Sequence, residues 1–297
     1  MKGIITNIKR MAVHDGKGLR TTIFFKGCPL KCIWCHNPDT ISFKPQVAVH
    51  QNKCADCGYC TQACSSGALG KDKSFDKEKC IRCYKCIEAC PSDARVLYGE
   101  EWEAKDLAQK VMQDKDFFKN SGGGVTFSGG ECLCQIDFAL EMAKIFNEEG
   151  ISVDIDTCGY VPFSSFEKIF PYVDEFLYDI KAIDSEVHKR CTGKDNDLIL
   201  ENLKKLDDMG AKIEIRYPYV PMFNDGEAEK IGKFLCDLKN IGKIKVLAYH
   251  NLAGSKYRAL GMENTLPDVK VSHCDMEKAV SILKSFGLNA INGMDED

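Results

Sequence analysis

Thr21-Thr-Ile-Phe-Phe-Lys-Gly-Cys-Pro-Leu-Lys-Cys-Ile-Trp-Cys-His-Asn37 couples a short apolar run to a tight group of three cysteines. Its first five residues are β-branched or aromatic and read as a buried strand, after which Gly27 turns the chain. Cys28, Cys32 and Cys35 then follow with three and two residues between them. Zinc sites favour paired two-residue spacings, so zinc with a distant fourth ligand, or a set of unligated buried thiols, is the weaker reading. A [4Fe-4S] cluster that only carries electrons takes four protein thiolates, and a local set of three leaves one iron open to a substrate. The loop is placed at the C-terminal end of a strand, where parallel α/β folds put their chemistry.

The 297 residues, 44% of them apolar, can bury a full core as one large domain or as one domain with an insert. A net charge of -4 gives no basic footprint for nucleic acid. No apolar run is long enough to span a bilayer, and Met1 to Arg20 lacks a continuous secretion-type segment, so no membrane partner is expected and the cytoplasm is the expected location. Seventeen cysteines, an odd number in a reducing compartment, are poorly explained by disulfides and well explained by metal. Cys132, Cys134, Cys158, Cys191, Cys236 and Cys274 are scattered and read as ordinary thiols.

The other eight cysteines form an internal repeat. Cys54, Cys57, Cys60 and Cys64 are followed by Cys80, Cys83, Cys86 and Cys90, with Pro91 after the second run and Ser65 in the corresponding place after the first. This is the spacing of two-cluster ferredoxins, in which the fourth cysteine of each run ligates the other run's cluster. Cys54, Cys57, Cys60 and Cys90 would hold one cluster, and Cys80, Cys83, Cys86 and Cys64 the second. A ferredoxin-like insert is expected over residues 48–97, too small for a large core and cross-linked by its clusters. Residues 1–47 and 98–297 would form the main domain.

From Glu100 onward helices and strands alternate. Helices are expected over Glu101–Phe118, the face Ile136 to Phe146, Phe163–Phe170, Asn196–Met209, the stripe Ile231 to Ile241, and Met276–Phe286; strands are expected over Gly124–Phe127, Ile151–Asp156, Glu175–Ala182, Lys212–Tyr217 and Ile244–Tyr249. The rhythm argues a parallel sheet with right-handed crossovers. Asp154 with Asp156, Asp179 with Lys181, and Glu214 with Arg216 each share one strand face. A sheet covered on both sides should be apolar on both. The charges therefore point to a barrel or partial barrel around a polar ligand, or to a buried network in which they pair with one another. Gly122-Gly-Gly124 and Gly129-Gly130 lack the spacing and lysine of a phosphate loop and suit a close backbone approach or a turn. The six histidines show no metal spacing.

Nearly the whole chain resembles the glycyl-radical enzyme activating enzymes of the radical S-adenosylmethionine (SAM) superfamily, of the pyruvate formate-lyase activating type with a ferredoxin insert. The resemblance rests on Asp15-Gly-Lys-Gly-Leu-Arg20, the Cys28/Cys32/Cys35 loop with His36 and Asn37, and Gly124-Val-Thr-Phe-Ser-Gly-Gly-Glu131. It continues through Asp156-Thr-Cys-Gly159, Tyr178-Asp-Ile-Lys181, Arg216 and Tyr249-His250. It implies a partial (β/α)6 barrel holding S-adenosyl-L-methionine on an open iron, and three [4Fe-4S] clusters in all. By resemblance, Gly129, Gly130 and Glu131 meet the methionine amino group, and Asp179, Ile180 and Lys181 lie at its polar end, with Arg216 in the same polar interior. His250 approaches the ribose, Trp34 and His36 flank the adenosine, and Asp156 with Thr157 holds a monovalent cation. Trp34 stands where the plain activase has tyrosine, and Cys158 where it has asparagine. The implied partners are a glycyl-radical enzyme other than pyruvate formate-lyase, such as a dehydratase, decarboxylase or carbon-nitrogen lyase, and a low-potential electron donor such as flavodoxin or ferredoxin. A radical SAM enzyme acting on a small molecule and an electron-transfer iron-sulfur protein are the rivals; the latter requires a closed first cluster.

Overall fold

The computed structural model describes residues 1–70, 74–76 and 78–295. The chain opens with β1 (Lys2–Ala12) and β2 (Arg20–Phe25), then enters the cysteine-rich segment between β3 (Gln46–Val49) and β4 (Arg95–Tyr98), which carries the one-turn helices α1 (Tyr59–Gln62) and α2 (Lys85–Glu88). There follow β5 (Glu100–Glu103), α3 (Ala104–Val111), α4 (Lys115–Ser121), β6 (Gly124–Gly129), α5 (Ile136–Glu148), β7 (Ser152–Thr157), α6 (Phe163–Ile169) and β8 (Glu175–Asp179). The chain continues through α7 (Ser185–Thr192), α8 (Asp197–Asp208), β9 (Ile213–Tyr219), α9 (Ala228–Leu235), β10 (Ile241–Ala248), α10 (Gly254–Ala259), α11 (His273–Ser285) and β11 (Ala290–Asn292).

Nine of these strands make one sheet in the order β11-β10-β9-β8-β7-β6-β2-β1-β5. From β2 through β11 every neighbouring pair is parallel, whereas β1 is antiparallel to both β2 and β5. The sheet is thus mostly parallel, as the alternation of elements predicts, and the chain steps steadily along it from β6 onward. The helices stay put by burying one stripe: α5 turns Phe138, Ala139, Met142, Ala143 and Phe146 inward. There Phe25, Phe127 and Phe138 meet with ring centroids 5.3 and 5.8 Å apart. α11 is started by a reciprocal capping box between Ser272 and Asp275.

Several expectations are corrected. The first strand is β1 rather than Thr21–Phe25, and the Asp15–Arg20 loop joins two strands. Glu101–Phe118 is not one helix: Glu100–Glu103 extends to pair with β1, and the helical part breaks near Asp114. The stripe ending at Ile241 stops with Leu235, because Ile241 begins β10. The expected strand Glu175–Ala182 ends at Asp179.

The charges on the strand faces do pair with one another. Arg20 is wholly buried, with Asp154 at 3.1 Å and hydrogen bonds to Thr126 Oγ1 and the Val125 carbonyl at 2.7 and 2.6 Å. Arg216 reaches Asp156 at 3.6 Å and Glu214 at 3.5 Å, and donates to the His14 carbonyl at 3.0 Å. Asp15 accepts from Thr22 Oγ1 at 2.7 Å, so the β1–β2 loop is tied to the same interior face. A buried charge that loses its partner is costly. Asp154→Ala should therefore lower unfolding free energy by about 3–5 kcal/mol, read by denaturant titration, while Arg20→Met with Asp154→Leu should cost distinctly less than the single change.

Candidate active site

The C-terminal ends of the parallel strands, together with the cysteine loop, enclose a cavity of about 350 Å³. The loop contributes Cys28, Cys32, Cys35, Trp34 and His36; β6 contributes Ser128 to Gly130; the end of β7 contributes Asp156 to Cys158. Asp179 and Lys181 enter from the end of β8, Arg216 and Pro218 from β9, and Leu247, Tyr249 and His250 from β10 and the turn after it.

The loop has little regular structure and is held from outside. The N–H groups of Lys31 and Ile33 donate to the carbonyls of Thr192 and Cys191 at 2.8 and 2.9 Å, satisfying the free carbonyls at the end of α7. Gly27 and Cys28 donate to Thr40 and Ile41 at 2.6 and 3.1 Å. From the sheet side, Gly130 and Glu131 donate to the Phe25 and Gly27 carbonyls at 2.9 and 2.8 Å. A Cβ on Gly130 would collide with the Gly27 carbonyl, and one on Gly129, at φ +107°, with the Phe25 backbone. The glycine pair thus serves a close approach to the chain's own loop.

Glu131 and Ile180 do not line the cavity. Both are buried, and the Glu131 carboxylate accepts from Leu133 N, Thr157 Oγ1 and Cys158 N at 3.1, 2.8 and 2.9 Å. It locks the end of β6 to the end of β7, one layer behind the wall. Burial raises its pKa, while those donors pull the other way. Ile180 donates its N–H to the Arg216 carbonyl at 2.9 Å and packs into the core.

Within the cavity Lys181 lies 2.6 Å from Asp179. Burial opposes its charge, but Asp179 and the nearby thiols outweigh burial and raise its pKa. Asp156 accepts from Ser128 Oγ at 2.5 Å, and burial lifts its carboxyl to about 6 against the pull of Arg216. His36 stacks on His250 with centroids 4.0 Å apart, and burial depresses its pKa to about 4. Trp34 is buried against Cys191, Val220 and Tyr249. Two residues that the sequence did not single out set the loop after β8. Asn224 Nδ2 donates to the Lys181 and Pro218 carbonyls at 2.8 and 2.7 Å, and Glu227 accepts from Ile183 N and Asp184 N at 2.8 Å.

The donor set suits iron. Burial pushes the Cys32 thiol far up and Cys35 up to about 12, so ionisation here calls for a bound cationic centre. One thiol was missed by spacing: Cys158, buried at the end of β7, lines the same cavity as the three loop cysteines.

The Radical SAM superfamily pattern matches residues 22–235. The chain belongs to the radical SAM superfamily. Membership implies SAM and a [4Fe-4S] cluster, and the three loop cysteines lie together on the wall of this cavity. Among its relatives, the trans-4-hydroxy-L-proline dehydratase activating enzyme of Clostridioides difficile is 43% identical over 86% of this chain and 87% of its own. The benzylsuccinate synthase activating enzyme of Thauera aromatica is 35% identical over 96% of this chain and 91% of its own. Among solved structures, a domain of the pyruvate-formate lyase-activating enzyme from Bacteroides vulgatus matches with a TM-score of 0.50 and 26% identity, over 58% of this chain and 99% of that one. The resemblance to glycyl-radical enzyme activating enzymes seen in the sequence is met by these relatives.

If the three loop cysteines are the whole protein ligand set, Cys158→Ala should keep the iron of this centre, and Cys28→Ala should lose it, by iron analysis and by the electron paramagnetic resonance of the reduced protein. Loss of the centre in Cys158→Ala would make Cys158 a fourth ligand. Gly130→Ala should also lose the centre, because the Gly27 turn must move.

Proposed function

We propose that this enzyme activates a glycyl-radical enzyme other than pyruvate formate-lyase, by reductive cleavage of SAM and removal of a hydrogen atom from a backbone glycine of that partner. The observation that carries the proposal is the convergence of three loop thiols and the polar ends of five parallel strands on one cavity. When bound, the cluster supplies one electron that splits the SAM sulfur to 5'-carbon bond, leaving methionine and a 5'-deoxyadenosyl radical. The chain binds, orients and encloses. The backbone of Gly129 and Gly130 and the Asp179–Lys181 pair suit the methionine end, and the Trp34, His36 and His250 rings suit the adenosine. Asp156 offers a carboxylate for a monovalent cation, while the Thr157 hydroxyl is already donated to Glu131. Arg216 secures Asp156 from below.

A partial (β/α)6 barrel fits these contacts. In a flat sheet β9 and β2 would be about 19 Å apart at the usual strand spacing, yet Arg216 on β9 meets the loop that Thr22 on β2 anchors.

The cysteine-rich segment supports two further [4Fe-4S] clusters, for three in all, in a module held at its neck by β3 and β4 pairing antiparallel. Its repeat holds in three dimensions. Positive φ occurs at Asp56 and Arg82, at Gly58 and Tyr84, and at Gly67 and Asp93, the same offset that separates the two cysteine runs. Cys64 Sγ and Cys90 Sγ each lie 3.7 Å from the hydroxyl two residues on, Ser66 and Ser92. All eight cysteines line one cavity of about 320 Å³. Cys54, Cys57 and Cys83 are exposed, within reach of a low-potential donor such as a flavodoxin or ferredoxin. The seventeen cysteines suit a reducing cytoplasm, and no helix among the described residues is long and apolar enough to cross a membrane.

Anaerobic incubation with SAM, a strong reductant and candidate partners should produce 5'-deoxyadenosine and a glycyl radical on one of them. Cleavage with radical formed only on a small molecule would favour the other radical SAM reading. No cleavage, with spectra unchanged by SAM, would favour an electron relay. Cys28→Ala should abolish cleavage, while Cys83→Ala should retain part of it under the chemical reductant; equal loss in both would contradict the separate tasks of the two modules.

A further inference from the structure

Beyond Tyr249 and His250, the sequence between β10 and α11 carries no motif, yet it touches both cysteine modules. On one side it grips the cluster loop. Tyr257, 2% exposed, donates its hydroxyl to the Cys35 carbonyl at 3.2 Å, and Thr265 Oγ1 donates to the Ile33 carbonyl at 3.0 Å. Lys256 Nζ sits 2.9 Å from Asn37 Oδ1 and 3.1 Å from the Asp39 carboxylate. On the other side, Arg258 to Gly261 form part of the wall of the cavity that the eight insert cysteines share. Ala259 and Leu260 are buried there with Ala48 of β3, and Val96 and Tyr98 of β4 pack against them.

α7 fixes the loop through its N–H groups, and this second segment fixes it through carbonyls on either side of the third cysteine. Tyr257, which grips the loop, is followed directly by Arg258, the first of these residues in the wall of the insert's cavity. Closely packed side chains transmit small displacements, and coupling between two sites is reciprocal.

We propose that α10 is a strut through which the filling of the insert's cluster sites orders the Cys28–Cys35 loop, with Tyr257 and Thr265 as positioning residues. The proposal rests on the two-cluster reading of the insert. Metal-driven ordering of a small module is a large effect, and part of it reaches the loop because Ala259 and Leu260 are packed on β3 and β4.

The test is a cycle on the full chain, read by hydrogen exchange over residues 31–40 and by the midpoint potential of the N-terminal centre. The insert is emptied by Cys60→Ala with Cys86→Ala, and the strut is released by Tyr257→Phe, which keeps the ring. In the otherwise wild-type chain, emptying the insert should speed exchange across the loop by about tenfold and shift the potential. In the Tyr257→Phe background the same change should have less than about a twofold effect, since the two act through one contact. Thr265→Val, at the surface end of the grip, provides a second release that does not depend on the buried ring. No change in loop exchange on emptying the insert, or an equal change in both released backgrounds, would overturn the strut. Failure of the underlying reading looks different: the wild-type protein would then carry about four irons per chain instead of about twelve.

Discussion

Three thiols have to be held close together on a loop that contributes almost no hydrogen-bonded structure of its own, and the rest of the molecule is arranged to hold them. Backbone groups near a metal centre cannot be left to water without losing geometry, so they must be satisfied by neighbours. The end of α7 takes the N–H groups of Lys31 and Ile33, the segment after β10 takes the carbonyls of Ile33 and Cys35, and Gly130 closes on the turn at Gly27. Behind that, the Glu131 carboxylate ties β6 to β7, and Asn224 and Glu227 tie the loop after β8 to β9. The cofactor brings the difficult chemistry, and the chain's contribution is rigidity, polarity and exclusion of solvent.

The charged interior has two tasks that meet at Arg216. Near the N-terminal ends of the strands, Arg20 and Asp154 are fully consumed by each other and their neighbours, and serve the fold alone. Two residues further along β7, on the same face, Asp156 both pairs with Arg216 and lines the cavity. The same alternation on a strand therefore yields a structural ion pair at one depth and a cavity-lining carboxylate at the next. The sequence offered a buried network or a polar lining as alternatives, and Asp156 both pairs with Arg216 and lines the cavity.

Much of the fold was legible in the chain. The run Thr21–Phe25, the stripes of α5 and α8, and the steady alternation after Gly124 specify a mostly parallel sheet, because each is long and its period is clear. What stayed hidden has identifiable causes. α7 carries little apolar stripe, being Ser185-Glu-Val-His-Lys-Arg-Cys-Thr192, and its value lies in where its last carbonyls point. Residues 101–103 were absorbed into the following helix because their strand character comes only from pairing with β1. At the site, cysteine spacing found the loop thiols at once, but Cys158 is distant in sequence and reaches the cavity only through the end of β7. Glu131, in a motif next to two cavity-lining glycines, turns inward, which side-chain identity alone does not reveal.

Everything turns on whether the loop cysteines leave one iron open for SAM, with Cys158, a buried thiol on the wall of the same cavity, as the competing ligand. Electron-nuclear double resonance on the reduced protein, mixed with SAM carrying nitrogen-15 at the methionine amino group, addresses this directly. A nitrogen coupling strong enough to require direct bonding to the N-terminal cluster is the predicted result. A cluster spectrum identical with and without labelled SAM, in protein whose cluster is intact, would contradict the account.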